Sequence, residues 1–175
     1  MILGIISDTH DNIPNLEKTL AWLRTEGISL IIHCGDLCAP SILTKILVPN
    51  FPGEIHLVHG NVGDRELLSK KTQEFKNVKL HGDFGELKIN GKKIAFVHQP
   101  KEGKKLAISG LYDLVFYGHT HKPWIEKIKT KQGQSQKVVY LVNPGNLAGL
   151  FYKATFAIYN TETDKLELKI LETLN

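Results

Sequence analysis

The chain has 175 residues, with 22 Lys and Arg against 18 Asp and Glu, a formal charge of +4 and 42% hydrophobic residues. That length predicts one domain spanning 1–175 with a core of its own, and the composition excludes a disordered chain. No apolar stretch approaches the ~20 residues that span a bilayer, and two cysteines make no disulfide framework. The lysines fall in pairs (Lys70-Lys71, Lys92-Lys93, Lys104-Lys105) that read as solvated faces, so nucleic acid is not indicated as a partner. Met1-Ile2-Leu3-Gly4 lacks the basic region and cleavage pattern of a leader, and the expectation is a cytoplasmic protein with no membrane contact.

In chain order, the apolar run Ile2–Ile6 predicts a first strand. Asp11 or Asn12 then caps a helix to about Thr25, with Pro14 in its first turn, Gly27 past its end, and Leu16, Leu20 and Leu23 at helical spacing. A strand over Ile28–His33 is followed by a helix from Pro40 that ends before Pro49. A strand over Ile55–His59 leads to a helix capped by Asp64, from Arg65 to about Phe75. Such alternation predicts parallel βαβ units. Beyond it come short strands at Val78–His81 and Glu86–Ile89, a hairpin turn at Asn90-Gly91, a strand over Lys93–Val97, a short helix near Lys104–Ser109 and a strand over Leu114–Tyr117. Strands at Trp124–Lys129, Val138–Val142, Thr155–Tyr159 and Leu166–Leu171 complete the chain, with a polar turn at Gln132-Gly133-Gln134-Ser135. The economical packing is an α/β fold of two mixed sheets flanked by helices.

Five of these runs stop at metal-ligand side chains: Asp8-Thr9-His10, Gly35-Asp36, Gly60-Asn61, His98 and Gly118-His119-Thr120-His121. Chemistry in sheets with helical crossovers gathers beyond the carboxyl ends of strands, so these residues read as one constellation, a two-metal site. Asp8 with His10, and His119 with His121, are spaced to point the same way from extended backbone. Asp36 supplies a carboxylate able to bridge two ions, Asn61 an amide oxygen and His98 an imidazole. This mixture of oxygen and nitrogen suits Mn, Fe, Zn or Ni better than Ca or Mg.

In this order the motifs resemble the calcineurin-like metallophosphoesterase family, particularly its small bacterial and archaeal phosphodiesterases. The resemblance extends to Asn143-Pro144-Gly145, which matches the family's Asn-Pro-Gly turn. It implies a four-layer α/β/β/α sandwich and a dinuclear centre. Asp8, His10, Asp36 and His121 would hold one ion, and Asp36, Asn61, His98 and His119 the other. It further implies a metal-dependent phosphoesterase, specifically a phosphodiesterase of small phosphate esters, using two divalent transition ions with Mn²⁺ preferred; a homo-oligomer is compatible with it. The alternative is an inactive scaffold of the same fold, as in the retromer subunit, which has lost ligands that are all present here.

Three departures from the family pattern bear on the substrate. Val62 stands where larger relatives carry a proton-donating His, Gly63 lengthens the loop before Asp64, and His98-Gln99-Pro100 replaces His-Gly-His. Asp64 is the remaining proton-donor candidate, although a helix cap is the better reading, and Arg65 with Asn61 is the candidate phosphate contact. His33, His56 and His59 read as packed or hydrogen-bonded structural histidines and His81 as a loop residue. Cys34 reads as a small apolar side chain, and Cys38 as lying near the site without ligating metal.

Overall fold

A computed structural model describes residues 1–132 and 135–174. Eleven strands, β1 Ile2–Ile6, β2 Leu30–His33, β3 Glu54–Leu57, β4 Val78–Leu80, β5 Phe84–Ile89, β6 Lys92–Val97, β7 Leu114–Phe116, β8 Trp124–Gln132, β9 Ser135–Asn143, β10 Thr155–Asn160 and β11 Lys165–Ile170, form two sheets. One has the order β11-β10-β1-β2-β3-β4 and the other β5-β6-β7-β9-β8. The strands β1 to β4 are mutually parallel, as are β6, β7 and β9, while β10, β11, β5 and β8 add antiparallel flanks. The two mixed sheets expected from the sequence are therefore present. Of the polar turn expected at Gln132-Gly133-Gln134-Ser135, Gly133 and Gln134 lie outside the described residues.

The unbroken apolar runs are explained by burial on both faces. Leu3, Ile5, Leu30, Ile32, Phe96 and Phe116 point between the sheets. The alternate positions Ile6 and Ile31 pack with Leu16, Leu20 and Leu23 of α1 (Ile13–Thr25). On the other sheet, Ala95, Val97 and Val115 pack with Ala107 of α5 (Pro100–Ile108). The result is four layers, helix, sheet, sheet, helix, with the inter-sheet layer as the main core. Fully burying each of the larger of these side chains, from Val to Phe, contributes roughly 1.5–3 kcal/mol.

Helix boundaries show where local rules give way. Of the two capping candidates it is Asn12 that caps α1, its side chain accepting from the Asn15 amide at 3.2 Å. Asp11 instead accepts the Ala39 amide at 3.0 and 3.1 Å and ties two loops together. The second helical stretch does not end before Pro49. It runs as α2 (Pro40–Ile42), a π-helical turn (Leu43–Leu47) and α3 (Val48–Asn50). The Val48 amide bonds the Leu43 carbonyl, a wider i→i+5 pairing that shifts the ladder just ahead of the proline, which has no N–H to offer. The helix α4 covers Arg65–Thr72, with Asp64 as its cap, and α5 begins at Pro100 rather than Lys104. A proline is pre-organised for a first helical position.

His33 is fully buried, and burial pulls its pKa down to about 4. His81, wedged edge-on against Phe96 with ring centroids 5.1 Å apart, is also pulled down to about 4, by burial and then by His56. His81 lies in the loop after β4, as expected, and packs there against a side chain of the other sheet. Both imidazoles are neutral in the fold yet take up a proton near pH 6.5 when unfolded. Their contribution is complete above about pH 6.5 and lost as pH falls towards 4. Urea midpoints should therefore decline across this interval, less steeply for His81→Gln. Parallel wild-type and variant profiles would mean that His81 protonates freely in the folded protein.

Candidate metal centre

The parallel strands of both sheets deliver their carboxyl ends to one edge of the sandwich. Asp8 and His10 follow β1, Asp36 follows β2, Asn61 follows β3, His98 follows β6, and His119 and His121 follow β7. All seven residues singled out in the sequence come together there. Asp8, Asp36 and His98 form a buried floor, His10 and His121 are half-buried, and Asn61 and His119 form an exposed rim.

Two groups of potential donors can be distinguished, Asp8–His10–His121 and Asp8–Asp36–His98. In the first, the Nε2 atoms of His10 and His121 are 3.0 Å apart and lie 3.9 and 3.4 Å from Asp8 Oδ1. Ligand atoms about 2.0–2.2 Å from a transition ion are separated by roughly 3.0–3.5 Å, so this triangle is nearly the size of a coordination face. In the second, His98 Nε2 lies 3.4 Å from Asp36 Oδ2 and 2.7 Å from Asn61 Oδ1, and the same amide oxygen is 2.7 Å from His119 Nδ1. Asp36 Oδ2 also sits 3.6 Å from His10 Nε2, between the two groups.

The electrostatics of this arrangement call for positive charge. His98 Nδ1 donates to the Cys34 carbonyl at 2.9 Å, which leaves the Nε2 lone pair of a neutral ring facing two oxygen acceptors. Burial draws the His98 pKa down, but the hydrogen bond and charge of Asp36 and the charge of Asp8 outweigh it and raise the value. For Asp36 burial acts upward, and His98 with the Val62 amide prevails and holds it below the ordinary carboxylate value. Asp8 is raised by burial. His121 Nδ1 is buried without a hydrogen-bond partner. Imidazole and carboxylate electron pairs converging in this way fit divalent transition ions.

The surrounding backbone is shaped to present these donors. Asp8, His10, Asp36, His119 and His121 all adopt positive φ, between 38° and 70°, so the pairs Asp8/His10 and His119/His121 stand not on the extended backbone expected from their spacing but on left-handed turns. Non-glycine residues held there cost of order 1–3 kcal/mol, and such strain clusters at functional sites. It is offset by specific bonds. The Asp8 amide bonds the Gly35 carbonyl and the His10 amide the Asp36 carbonyl, while the Asp8 carboxylate accepts the His119 amide and the Ser7 hydroxyl. Asp36 Oδ1 accepts the amides of Asn61 and Val62 at 2.8 and 3.1 Å. Asn143 donates to the Gly118 carbonyl and Thr120 Oγ1, so the Asn-Pro-Gly turn supports the His119–His121 loop. His33 joins Thr9 and the Gly35 amide. His56 bonds His81 and Glu54. Cys34 packs in the inter-sheet core, and Cys38 Sγ lies 3.5 Å from His10 Nδ1.

Beside the donors opens a cleft of about 350 Å³, lined by Asn61, His98, Arg65, Asp83, Gln99 and Glu102 among others. Arg65 pairs with Asp83 in this cleft, and Asp64 is engaged at the start of α4 through the Leu67 amide. Sequence reading missed Ser7, which bonds Asp8, and Asn146, whose amide donates to the His121 carbonyl at 3.0 Å. A hydroxyl next to Asp8 was a local clue for Ser7. Nothing local marks Asn146, because its partner lies 25 residues away.

Residues 1–164 match the calcineurin-like phosphoesterase superfamily domain. The chain belongs to that superfamily. It is a metal-dependent phosphoesterase. A phosphodiesterase of Methanocaldococcus jannaschii is 31% identical to it, over 98% of this chain and 100% of that one. A probable metallophosphoesterase of Methanothermobacter thermautotrophicus is 26% identical, over 99% and 93% respectively. Among solved structures, an archaeal phosphodiesterase superposes with a TM-score of 0.83 at 30% identity, covering 97% of this chain and 99% of the other. Zinc-bound Vps29 from Entamoeba histolytica shares the fold, with a TM-score of 0.66 at 19% identity over 96% and 90%.

Two glycines let the backbone of this phosphoesterase pass next to the donors. A Cβ at Gly60 would lie 1.8 Å from Asp36 Oδ1, and one at Gly118 would lie 2.1 Å from Ser7 Oγ and 2.7 Å from Asp8 Oδ2. Gly60→Ala should therefore displace the Asp36 carboxylate while the core, which it does not touch, stays intact. Metal affinity should fall about 10–100-fold, as for other changes just outside a ligand set, with a melting temperature close to wild type. Wild-type metal affinity in this variant would show that the Asp36 loop yields without consequence for the donors.

Proposed function

We propose that this phosphoesterase is a phosphodiesterase holding two divalent ions, one on Asp8, His10, Asp36 and His121 and the other on Asp36, Asn61, His98 and His119. The observation that carries the reading is Asp36 Oδ2, 3.6 Å from His10 Nε2 and 3.4 Å from His98 Nε2, in the position of a shared ligand. The mixture of four imidazoles with carboxylate and amide oxygens favours divalent transition ions over Mg²⁺ or Ca²⁺; Mn²⁺ is the proposed occupant, with Fe, Zn or Ni as chemically similar alternatives. When bound, such ions polarise a phosphoryl oxygen and generate a nucleophile from water at neutral pH.

The protein groups around the ions serve binding and orientation. Asn61 and Arg65 face the cleft and can take the non-bridging oxygens of a small phosphate ester, with Asp83 holding the guanidinium. The name of the Methanocaldococcus relative supports a diester as the substrate. So does Val62, whose aliphatic side chain has no proton to give to a departing group. The chain would act as one domain in a reducing compartment such as the cytoplasm, in keeping with the free thiols of Cys34 and Cys38. A scaffold role is less supported, because none of the seven donors is replaced.

The test is chelation followed by reloading. Hydrolysis of bis(p-nitrophenyl) phosphate should vanish on chelation and return with Mn²⁺ far better than with Mg²⁺, which prefers oxygen ligands and retained water. Asp36→Asn should lose at least one ion per chain and most of the activity. Equal rescue by Mg²⁺, or two ions and full turnover in Asp36→Asn, would overturn the assignment.

Val62 generates a further prediction. General acid catalysis is typically worth about 10²–10⁴-fold, so its absence should make the rate depend steeply on leaving-group pKa. Val62→His should speed alkyl diesters more than nitrophenyl diesters. A flat wild-type plot would point to another donor, Asp64 first, despite its engagement with the Leu67 amide.

A further inference from the structure

The rim of the site carries an aromatic side chain that neither the core nor the metal chemistry uses. Phe151 is 91% exposed, and its φ is +65°. For a bulky residue that conformation is an outlier, and nothing in the packing of Phe151 repays it. Its neighbours Leu150 and Tyr152 are each 45% exposed, which makes three consecutive large apolar groups facing water.

The segment that presents Phe151 is bound directly to the donor loops. The amides of Leu147 and Ala148 donate to the carbonyls of Ser7 and Asp8 at 3.0 and 3.1 Å. Asn12 and Asn15, at the start of α1, donate to the carbonyls of Ala148 and Leu147. Asn146 spans the His121 carbonyl and the Leu150 amide. The Phe151 ring thus stands 6.0 Å, centroid to centroid, from the imidazole of His121, inclined by 38°. It flanks the donors on the His121 side. On the Asn61 side the exposed apolar group is the aliphatic Val62.

We infer that Phe151 is a specificity-determining residue, on which the planar group of an aryl or nucleoside phosphate ester stacks while its phosphoryl group lies at the metal centre. The inference rests on the phosphodiesterase reading above and names the class of ester. A diester retains one organic group after cleavage, and a phosphoryl group seated at the donors must send that group over the rim. On the His121 side the rim is a flat hydrocarbon face. Aromatic rings favour offset stacking, and the contact is tolerant of which base or ring is offered because every base has a π-face. An alkyl or glycerol group gains little there.

The test compares two esters that share p-nitrophenol as leaving group and differ only in the retained group, thymidine 5′-(p-nitrophenyl phosphate) and methyl p-nitrophenyl phosphate. Phe151→Ala should raise KM for the thymidine ester about 5–20-fold, within the range seen on removing a base-stacking aromatic. Its kcat, and both constants for the methyl ester, should stay near wild type, and Phe151→Tyr should restore the thymidine KM. Binding of thymidine 5′-monophosphate to the metal-loaded protein, measured by calorimetry, should weaken by the same factor in Phe151→Ala. Equal effects on both esters, or none, would overturn the proposal. So would a wild-type dimer that Phe151→Ala dissociates with both KM values unchanged, which would assign the ring to a second copy of the chain. If neither ester is cleaved but thymidine monophosphate binding still depends on Phe151, the stacking role stands and the phosphodiesterase reading falls.

Discussion

Asp36 divides its two carboxylate oxygens between two tasks, and the site depends on that division. Oδ1 accepts the amides of Asn61 and Val62, so the loop after β3 is pinned to the loop after β2. Oδ2 is left facing His10 and His98 from opposite groups of donors. Neither task survives a change of side-chain length. The close passage of Gly60 confirms how little room the arrangement leaves. A buried carboxylate without compensation is costly. Here two backbone donors and the adjacent imidazoles keep it ionised, and it can therefore hold cations.

Around this hub lie most of the described non-glycine residues with left-handed backbone, Asn90 and Asp164 being exceptions. Asp and His tolerate the left-handed region better than most residues, and five of the seven donors occupy it. Left-handed backbone turns the chain sharply after β1, β2 and β7, so side chains from these loops meet those that follow β3 and β6 instead of continuing along the strand direction. The parallel order β1-β2-β3 in one sheet and β6-β7-β9 in the other then brings these turns to the same edge.

Much of this was legible in the sequence because its causes are local. Strand ends follow from apolar runs such as Ile2–Ile6, and ligand chemistry follows from residue type, so Asp8, His10, Asp36, Asn61, His98, His119 and His121 could be named before any geometry was known. What escaped depends on distant contacts or on exceptions to helical pairing. The helical stretch through Pro49 needs the i→i+5 bond from Val48 to Leu43, and local rules place a helix end before a proline. Ser7, Asn146 and Phe151 are ordinary until the fold sets them against Asp8 and His121. Asp11 and Asn12 were indistinguishable as caps, and the choice was made by an amide at Ala39.

The donors are drawn from both halves of the sandwich: Asp8, His10, Asp36 and Asn61 follow strands of one sheet, and His98, His119 and His121 follow strands of the other. An ion gripped by this set would add a further tie between the two layers, beside the bonds that already join them at that edge, from His119 to Asp8 and from His98 to the Cys34 carbonyl. Whatever binds only the folded state adds to its stability. Metal supply would therefore govern the lifetime of the protein as well as its turnover, and a cell short of the ion would carry a smaller, shorter-lived pool of the chain.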